Sequence, residues 1–96
     1  MDIVKKTEGG KLTITLTGRL DTVTAPQLEA ELNLADVEEV LFDISGIDYV
    51  SSAGLRLFLS VQKTMAKQGK MSILGAQPVV KEVFDMTGLS GVFDLI

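Results

Sequence analysis

The stretch Ile47-Asp48-Tyr49-Val50-Ser51-Ser52-Ala53-Gly54-Leu55-Arg56 joins two patterns of different period. Before it, Val40-Leu41-Phe42-Asp43-Ile44 is nearly continuously apolar, as in a strand covered on both faces. After it, apolar residues from Leu57 to Met65 recur at helical spacing. The expected arrangement is a strand over 38–44, a break at Ser45-Gly46, a loop, and a helix over 52–68 with Gly69 as its C-terminal stop. Ser51 and Ser52 then stand where a loop becomes a helix. The first amides of a helix lack intrahelical partners and carry the positive end of its dipole. A serine hydroxyl there is expected to cap the helix, and a phosphate on it would meet free donors.

On that helix, Gly54, Leu57, Phe58, Val61 and Met65 share a broad apolar face, opposite Arg56, Ser60, Lys63, Thr64 and Lys67. Leu55, Leu59 and Ala66 form a second apolar flank, suited to a neighbouring helix or to a partner. Glycine in a first helical turn is unfavourable by about 1 kcal/mol relative to alanine. Gly54 therefore implies close approach, either by a neighbouring strand or by a partner.

Working outward, residues 3–8 suit an edge strand guarded by Lys5, Lys6 and Glu8, and Gly9-Gly10 suits a hairpin turn. Residues 11–17 alternate, with Leu12, Ile14 and Leu16 on one face and Thr13, Thr15 and Thr17 on the other, and Gly18 is expected to end that strand. Asp21-Thr22-Val23 reads as a loop. Thr24 suits an N-cap, with Pro26 in the first turn and Gln27 completing a capping box. The short helix that follows, over 25–33, should turn Leu28 and Leu32 inward. Downstream come a buried strand over 71–74 and a helix over 78–86 with Val79, Val80, Val83 and Phe84 as its apolar side. Gly88 caps that helix, and a last short strand or ordered tail covers 92–96. The order β-β-α-β-α-β-α gives an α/β fold, a mixed four- to five-stranded sheet with helices packed against it.

The 96 residues suit one domain, 1–96, and 46% hydrophobic content suits a folded globule. Without cysteine or histidine the chain lacks disulfides, thiolate nucleophiles, the usual general base and the usual metal ligands. No catalytic or metal site is expected, and no cofactor. A net charge of −4 without a basic cluster makes nucleic acid a poor partner. No apolar run is long enough to span a membrane, and the N-terminus lacks the apolar stretch of a signal peptide, so a cytoplasmic location is expected. Asp21 and Asp48 lie on loops at strand ends, where ligands of open sheets gather. Asp43 falls inside the strand pattern, where it could face a helix N-terminus. Nothing nearby makes these a paired-carboxylate active site.

Three segments, in order, resemble those of STAS domains, and specifically of bacterial anti-sigma factor antagonists. They are Gly18-Arg19-Leu20-Asp21, Asp48-Tyr49-Val50-Ser51-Ser52-Ala53-Gly54-Leu55-Arg56 and Val83-Phe84-Asp85-Met86-Thr87-Gly88-Leu89. The resemblance implies a single STAS-like domain that is a binding module and not an enzyme. Counted back from Gly54-Leu55, the family's phosphorylated serine falls on Ser52. Ser51 occupies the position where the family commonly has Asp. Asp21 matches a loop aspartate that in the family helps bind the kinase, and as a loop carboxylate it should carry little of the fold's stability. The implied partner-binding set is Asp21, Ser51, Ser52, Ala53, Gly54, Leu55 and Arg56. The implied partners are an anti-sigma factor that is also a serine kinase of the histidine-kinase-like ATPase superfamily, which brings the ATP, and a serine phosphatase. The unphosphorylated chain would bind that factor and release a sigma factor. A second reading is a STAS subunit docked permanently in a lipid-transport ATPase complex.

Overall fold

A computed structural model describes residues 1–96. Strand β1 (Asp2–Glu8) turns through Gly9-Gly10 into antiparallel β2 (Lys11–Leu20). Helix α1 (Thr24–Ala30) leads to β3 (Glu39–Val50), α2 (Ser52–Met65) to β4 (Lys70–Leu74), and α3 (Pro78–Met86) with a 3₁₀ turn (Leu89–Gly91) to β5 (Asp94–Leu95). The strands lie side by side in chain order, and β2 to β5 are parallel. Each parallel step advances one place in the same direction. Right-handed crossovers then put all three helices on one face of the sheet.

The alternating side chains agree with that. Leu12, Ile14 and Leu16 of β2, Val40, Phe42 and Ile44 of β3, and Met71 and Ile73 of β4 point to the helices and are buried. Phe42 meets Phe58 of α2 edge to face at 5.0 Å between centroids, and Phe84 of α3 meets Phe93 at 5.6 Å. Such pairs add to what burial of the rings alone contributes. No helix covers the opposite face. Thr13, Thr15, Leu41 and Asp43 are only half-buried there, and Val4 is exposed. The apolar run in β3 thus overstates its cover: the strand is protected on one face only.

Two strands run further than their sequence suggests. Gly18, at φ +113°, does not end β2, which continues to Leu20. Ser45-Gly46 does not break β3, which continues to Val50. The β2–β3 register shifts twice, between Thr15 and Thr17 and between Gly18 and Arg19, each time with an extra residue on β3. Bulges absorb the turn-forming residues and bend the strand instead of ending it. Gly46 fits because a Cβ there would stand 3.1 Å from the Leu16 carbonyl oxygen. Most of the stretch read as loop, Ile47 to Val50, is therefore strand.

The helices are shorter than their patterns. α1 stops at Ala30, with Leu28 fully buried and Leu32 half-buried beyond its end. α2 stops at Met65. Gly69 serves close approach, since a Cβ on it would collide with the Glu38 carbonyl oxygen, where the chain crosses to begin β4. Gly88, at φ +76°, is the left-handed residue after α3. On α3, Val80 and Phe84 are buried while Val79 faces solvent. Its helical phase differs slightly from the expected one.

Candidate functional site

The C-terminal ends of β2 and β3 lie side by side, with Leu20 paired to Val50, and the Ser51 amide donates to the Leu20 carbonyl at 2.8 Å. This fixes the start of α2 against the end of β2. Gly54 seals the junction. A Cβ there would stand 2.7 Å from Leu20 Cγ and 3.2 Å from the Leu20 oxygen. The close approach that Gly54 implied comes from the neighbouring strand's own end. It brings the loop after Leu20 next to the start of α2.

That loop is built by Asp21 and Thr24 together. Asp21 Oδ1 accepts the amides of Val23 and Thr24, each at 3.0 Å, and the Ala25 amide donates to the Asp21 carbonyl at 2.9 Å. Thr24 Oγ1 accepts the Asp21 amide at 2.8 Å and donates to the Arg19 carbonyl at 2.7 Å. Asp21 thus ties the turn that leads into α1, and α1 itself, from Thr24, has no side-chain cap, where the sequence pointed to Thr24 with Gln27. The Thr24 amide, chiefly, holds the Asp21 carboxyl below its ordinary range, helped by the Val23 amide, the Thr24 hydroxyl and Arg19.

Asp21 therefore does carry stability. Asp21→Ala is expected to lower the melting temperature by roughly 5 °C through loss of the turn's hydrogen bonds. A carboxylate whose folded value is depressed stabilises fully above its unfolded value, here 3.8, and stops doing so as pH falls through the lowered folded value. The gap between wild type and Asp21→Ala should accordingly close below pH 3.8. Melting curves of both proteins across that range check it, and a gap that persists at the acid end would exclude the carboxylate as its source.

Arg19 and Tyr49 complete this corner and were not singled out from sequence. The Arg19 guanidinium lies 4.3 Å from the centroid of the Tyr49 ring, and its Nε is 3.7 Å from Asp21 Oδ2. They meet because the second register shift pairs Arg19 with Tyr49. A strand without that bulge would put a different residue opposite Arg19, so only a basic residue two places before the loop aspartate hinted at the contact.

The two serines differ sharply. Ser51 is the extended residue just before α2, at φ −93° and ψ 175°, and makes no side-chain cap bond. Its Oγ is enclosed and has no hydrogen-bond partner. Ser52 is the first residue of α2 and is exposed. The expected serine cap is absent. Ala53 is half-buried, Arg56 is exposed, and Gly54 and Leu55 are buried. Gly54 and Leu55 shape the site from beneath and do not present a surface. On the second flank of α2, Leu55 is buried, Leu59 half-buried and Ala66 exposed, so the flank belongs mainly to the core.

A groove of about 350 Å³ runs between α1 and α2, with Thr22, Pro26 and Glu29 on one wall and Ala53, Arg56 and Ser60 on the other. Asp48 is exposed on β3. Asp43 faces no helix N-terminus and instead accepts from Ser45, its amide at 3.1 Å and its hydroxyl at 2.7 Å. No group of His, Cys, Asp or Glu side chains is arranged to hold a metal. No helix is long and apolar enough to cross a membrane.

Comparison with known proteins agrees with this architecture. The STAS domain model matches residues 2–96. The chain belongs to the STAS domain family. This STAS domain is similar to a Bordetella bronchiseptica protein named as an anti-sigma factor antagonist, BtrV, with 39% identity over 88% of this chain and 76% of that one. It is also similar to the anti-sigma-B factor antagonist of Listeria monocytogenes, with 25% identity over 96% of this chain and 84% of the relative. Among solved structures, the anti-sigma factor antagonist SpoIIAA in its unphosphorylated form superposes with a TM-score of 0.84. That match has 22% identity and covers 99% of this chain and 88% of SpoIIAA. The Bacillus SpoIIAA structure in its phosphorylated form superposes with a TM-score of 0.76 and 21% identity, over 99% of this chain and 91% of that one. At that identity the superpositions speak for the fold, which is the STAS fold with a five-stranded mixed sheet.

Proposed function

We propose that this STAS domain is an anti-sigma factor antagonist whose hold on its partner is switched off by phosphorylation of Ser52. One observation carries the choice of residue. Ser52 is open to solvent at the start of α2, whereas the Ser51 hydroxyl is enclosed. A kinase can bring a phosphate to the first and not, without unfolding the junction, to the second. The names of the relatives support the partner class.

In the unmodified state the surface formed by the Asp21 loop, Ser52, Ala53 and Arg56 binds an anti-sigma factor and frees a sigma factor. That anti-sigma factor is a serine kinase of the histidine-kinase-like ATPase superfamily. In the transfer, Ser52 Oγ attacks the γ-phosphorus of the partner's ATP, ADP leaves, and the hydroxyl proton passes to a base of the partner. The base and the nucleotide site belong to the kinase. A serine phosphatase restores the hydroxyl, and the work is done in the cytoplasm. This chain is the substrate and catalyses nothing itself.

Affinity purification from the native host, followed by intact-mass analysis and peptide mapping, tests the reading. The expected result is a co-purifying anti-sigma factor and a fraction of the chain carrying one phosphate at Ser52. Ser51→Ala should still carry it, and Ser52→Ala should not. An ATPase and a permease co-purifying with a phosphate-free chain would overturn the switch in favour of a permanent docking subunit.

A further inference from the structure

Of the two arginines at this end of the molecule, one is committed and one is not. Arg19 pairs with Asp21 and stacks on Tyr49. Arg56 is exposed and takes part in none of the chain's ion pairs. It lies four residues into α2 from Ser52, and residues at that spacing share one face of a helix. Long helical side chains lean toward the N-terminus, over the preceding turn. A guanidinium at position 56 that follows this tendency reaches back toward Ser52, and an anion placed N-terminal to a cation at this spacing is the favourable order. Its neighbours across the groove include Glu29, with which it forms no ion pair.

We propose that Arg56 is the internal counter-charge of phosphorylated Ser52: it is free at the groove in the unmodified chain and pairs with the phosphate once Ser52 is modified. Modification thus changes two features of the surface together. It adds an anion at the start of α2 and withdraws the uncommitted cation from the groove between α1 and α2. A guanidinium offers parallel donors that match phosphate oxygens, which a lysine ammonium does not. This inference rests on Ser52 as the modified residue, and its test is arranged to be independent of any kinase.

Phosphoserine is incorporated at position 52 of the full chain during synthesis, and its second ionisation is followed by ³¹P NMR. The α2 dipole acts equally in all variants, so differences between them isolate the side chains. Phosphoserine in Arg56→Gln should ionise about half a unit higher than in the otherwise unchanged chain, the size of a surface pair to a divalent anion. Arg56→Lys should fall between the two, because it keeps the charge and loses the fork. Arg56 is exposed, so unmodified Arg56→Gln and Arg56→Ala should melt with wild type, and either can serve in the titration. Titrations that coincide in the chain with and without Arg56 would overturn the proposal. A shift produced by Arg19→Gln and not by Arg56→Gln would overturn it too, and would give the role to Arg19. Failure to find phosphate on Ser52 in the host would instead count against the switch, whatever the titration shows.

Discussion

Gly54→Val is expected to destabilise the fold by about 3 kcal/mol, at the upper end of what overpacking a well-filled core costs. The added Cβ would lie 2.7 Å from Leu20 Cγ and 3.2 Å from the Leu20 carbonyl oxygen. Leu20 is fully buried, so its side chain has little room to retreat, and its carbonyl is held by the Ser51 amide. Two γ-methyls on a stiff β-branched side chain worsen the clash. For a domain of this size such a loss corresponds to roughly 12–24 °C in melting temperature. Gly54→Ala meets the same first contact but gains about 1 kcal/mol of helix propensity, so it should lose much less. Thermal melting of the pair decides the matter. If Gly54→Val melts with wild type, the junction between α2 and β2 is looser than its distances imply. Because Gly54 is buried, any loss of partner binding should follow from displacement of Ser52 and Arg56 and scale with the loss of stability.

The sequence is most legible where side-chain period and burial agree. The alternation in β2, the inward face of α2 and the left-handed Gly88 follow from local pattern and are present as expected. Local pattern misleads where two strands must fit one another. Ser45-Gly46 carries turn residues, but the register of β3 against β2 turns them into a bulge, and no property of those two residues alone distinguishes the outcomes. The apolar run Val40–Ile44 suggests cover on both sides, yet Leu41 lies on the face without helices and is only half-buried. Gly69 read as the stop of the helix, but close approach to Glu38 requires it, and that neighbour is far away in sequence. The site behaves in the same way. Ser52, Asp21 and Arg56 were visible in their segments. The Arg19–Tyr49 contact depends on a bulged register and was not. The sequence marked Asp21 for recognition, but its hold on the turn before α1 shows only in the hydrogen bonds.

Phosphorylation of Ser52 is expected to leave the fold intact and to weaken binding to the cognate anti-sigma factor by a hundred- to several-thousand-fold. The two halves of that expectation have separate causes. Within the free chain, the phosphate adds about −1.5 to −2 charges at an exposed position, facing the positive end of a helix of 14 residues. Water, the first amides of α2 and Arg56 can all accommodate it, so the melting temperature should stay near that of the unmodified chain. At an interface the same charge must leave water. Arg56 supplies one positive charge against nearly two, and Arg19 is already engaged by Asp21. The carboxylates of Asp21 and Asp48 add to the negative side of this end of the molecule. An uncompensated charge buried at an interface costs on the order of 3–5 kcal/mol, which is the stated loss of affinity. Ser52→Ala should bind as the unmodified chain does and resist the kinase. Ser52→Asp should fold and bind weakly, since one carboxylate mimics the phosphate's charge only in part. Calorimetric titration of the four proteins against the same partner, with the phosphate mapped by mass spectrometry, is the measurement. Phosphate on Ser51 in the wild type would mean that the junction opens to expose an enclosed hydroxyl, and would move the switch by one residue. Equal affinity of the phosphorylated and unmodified chains would show that the charge at position 52 stays in water in the complex, and the electrostatic account of the switch would fail.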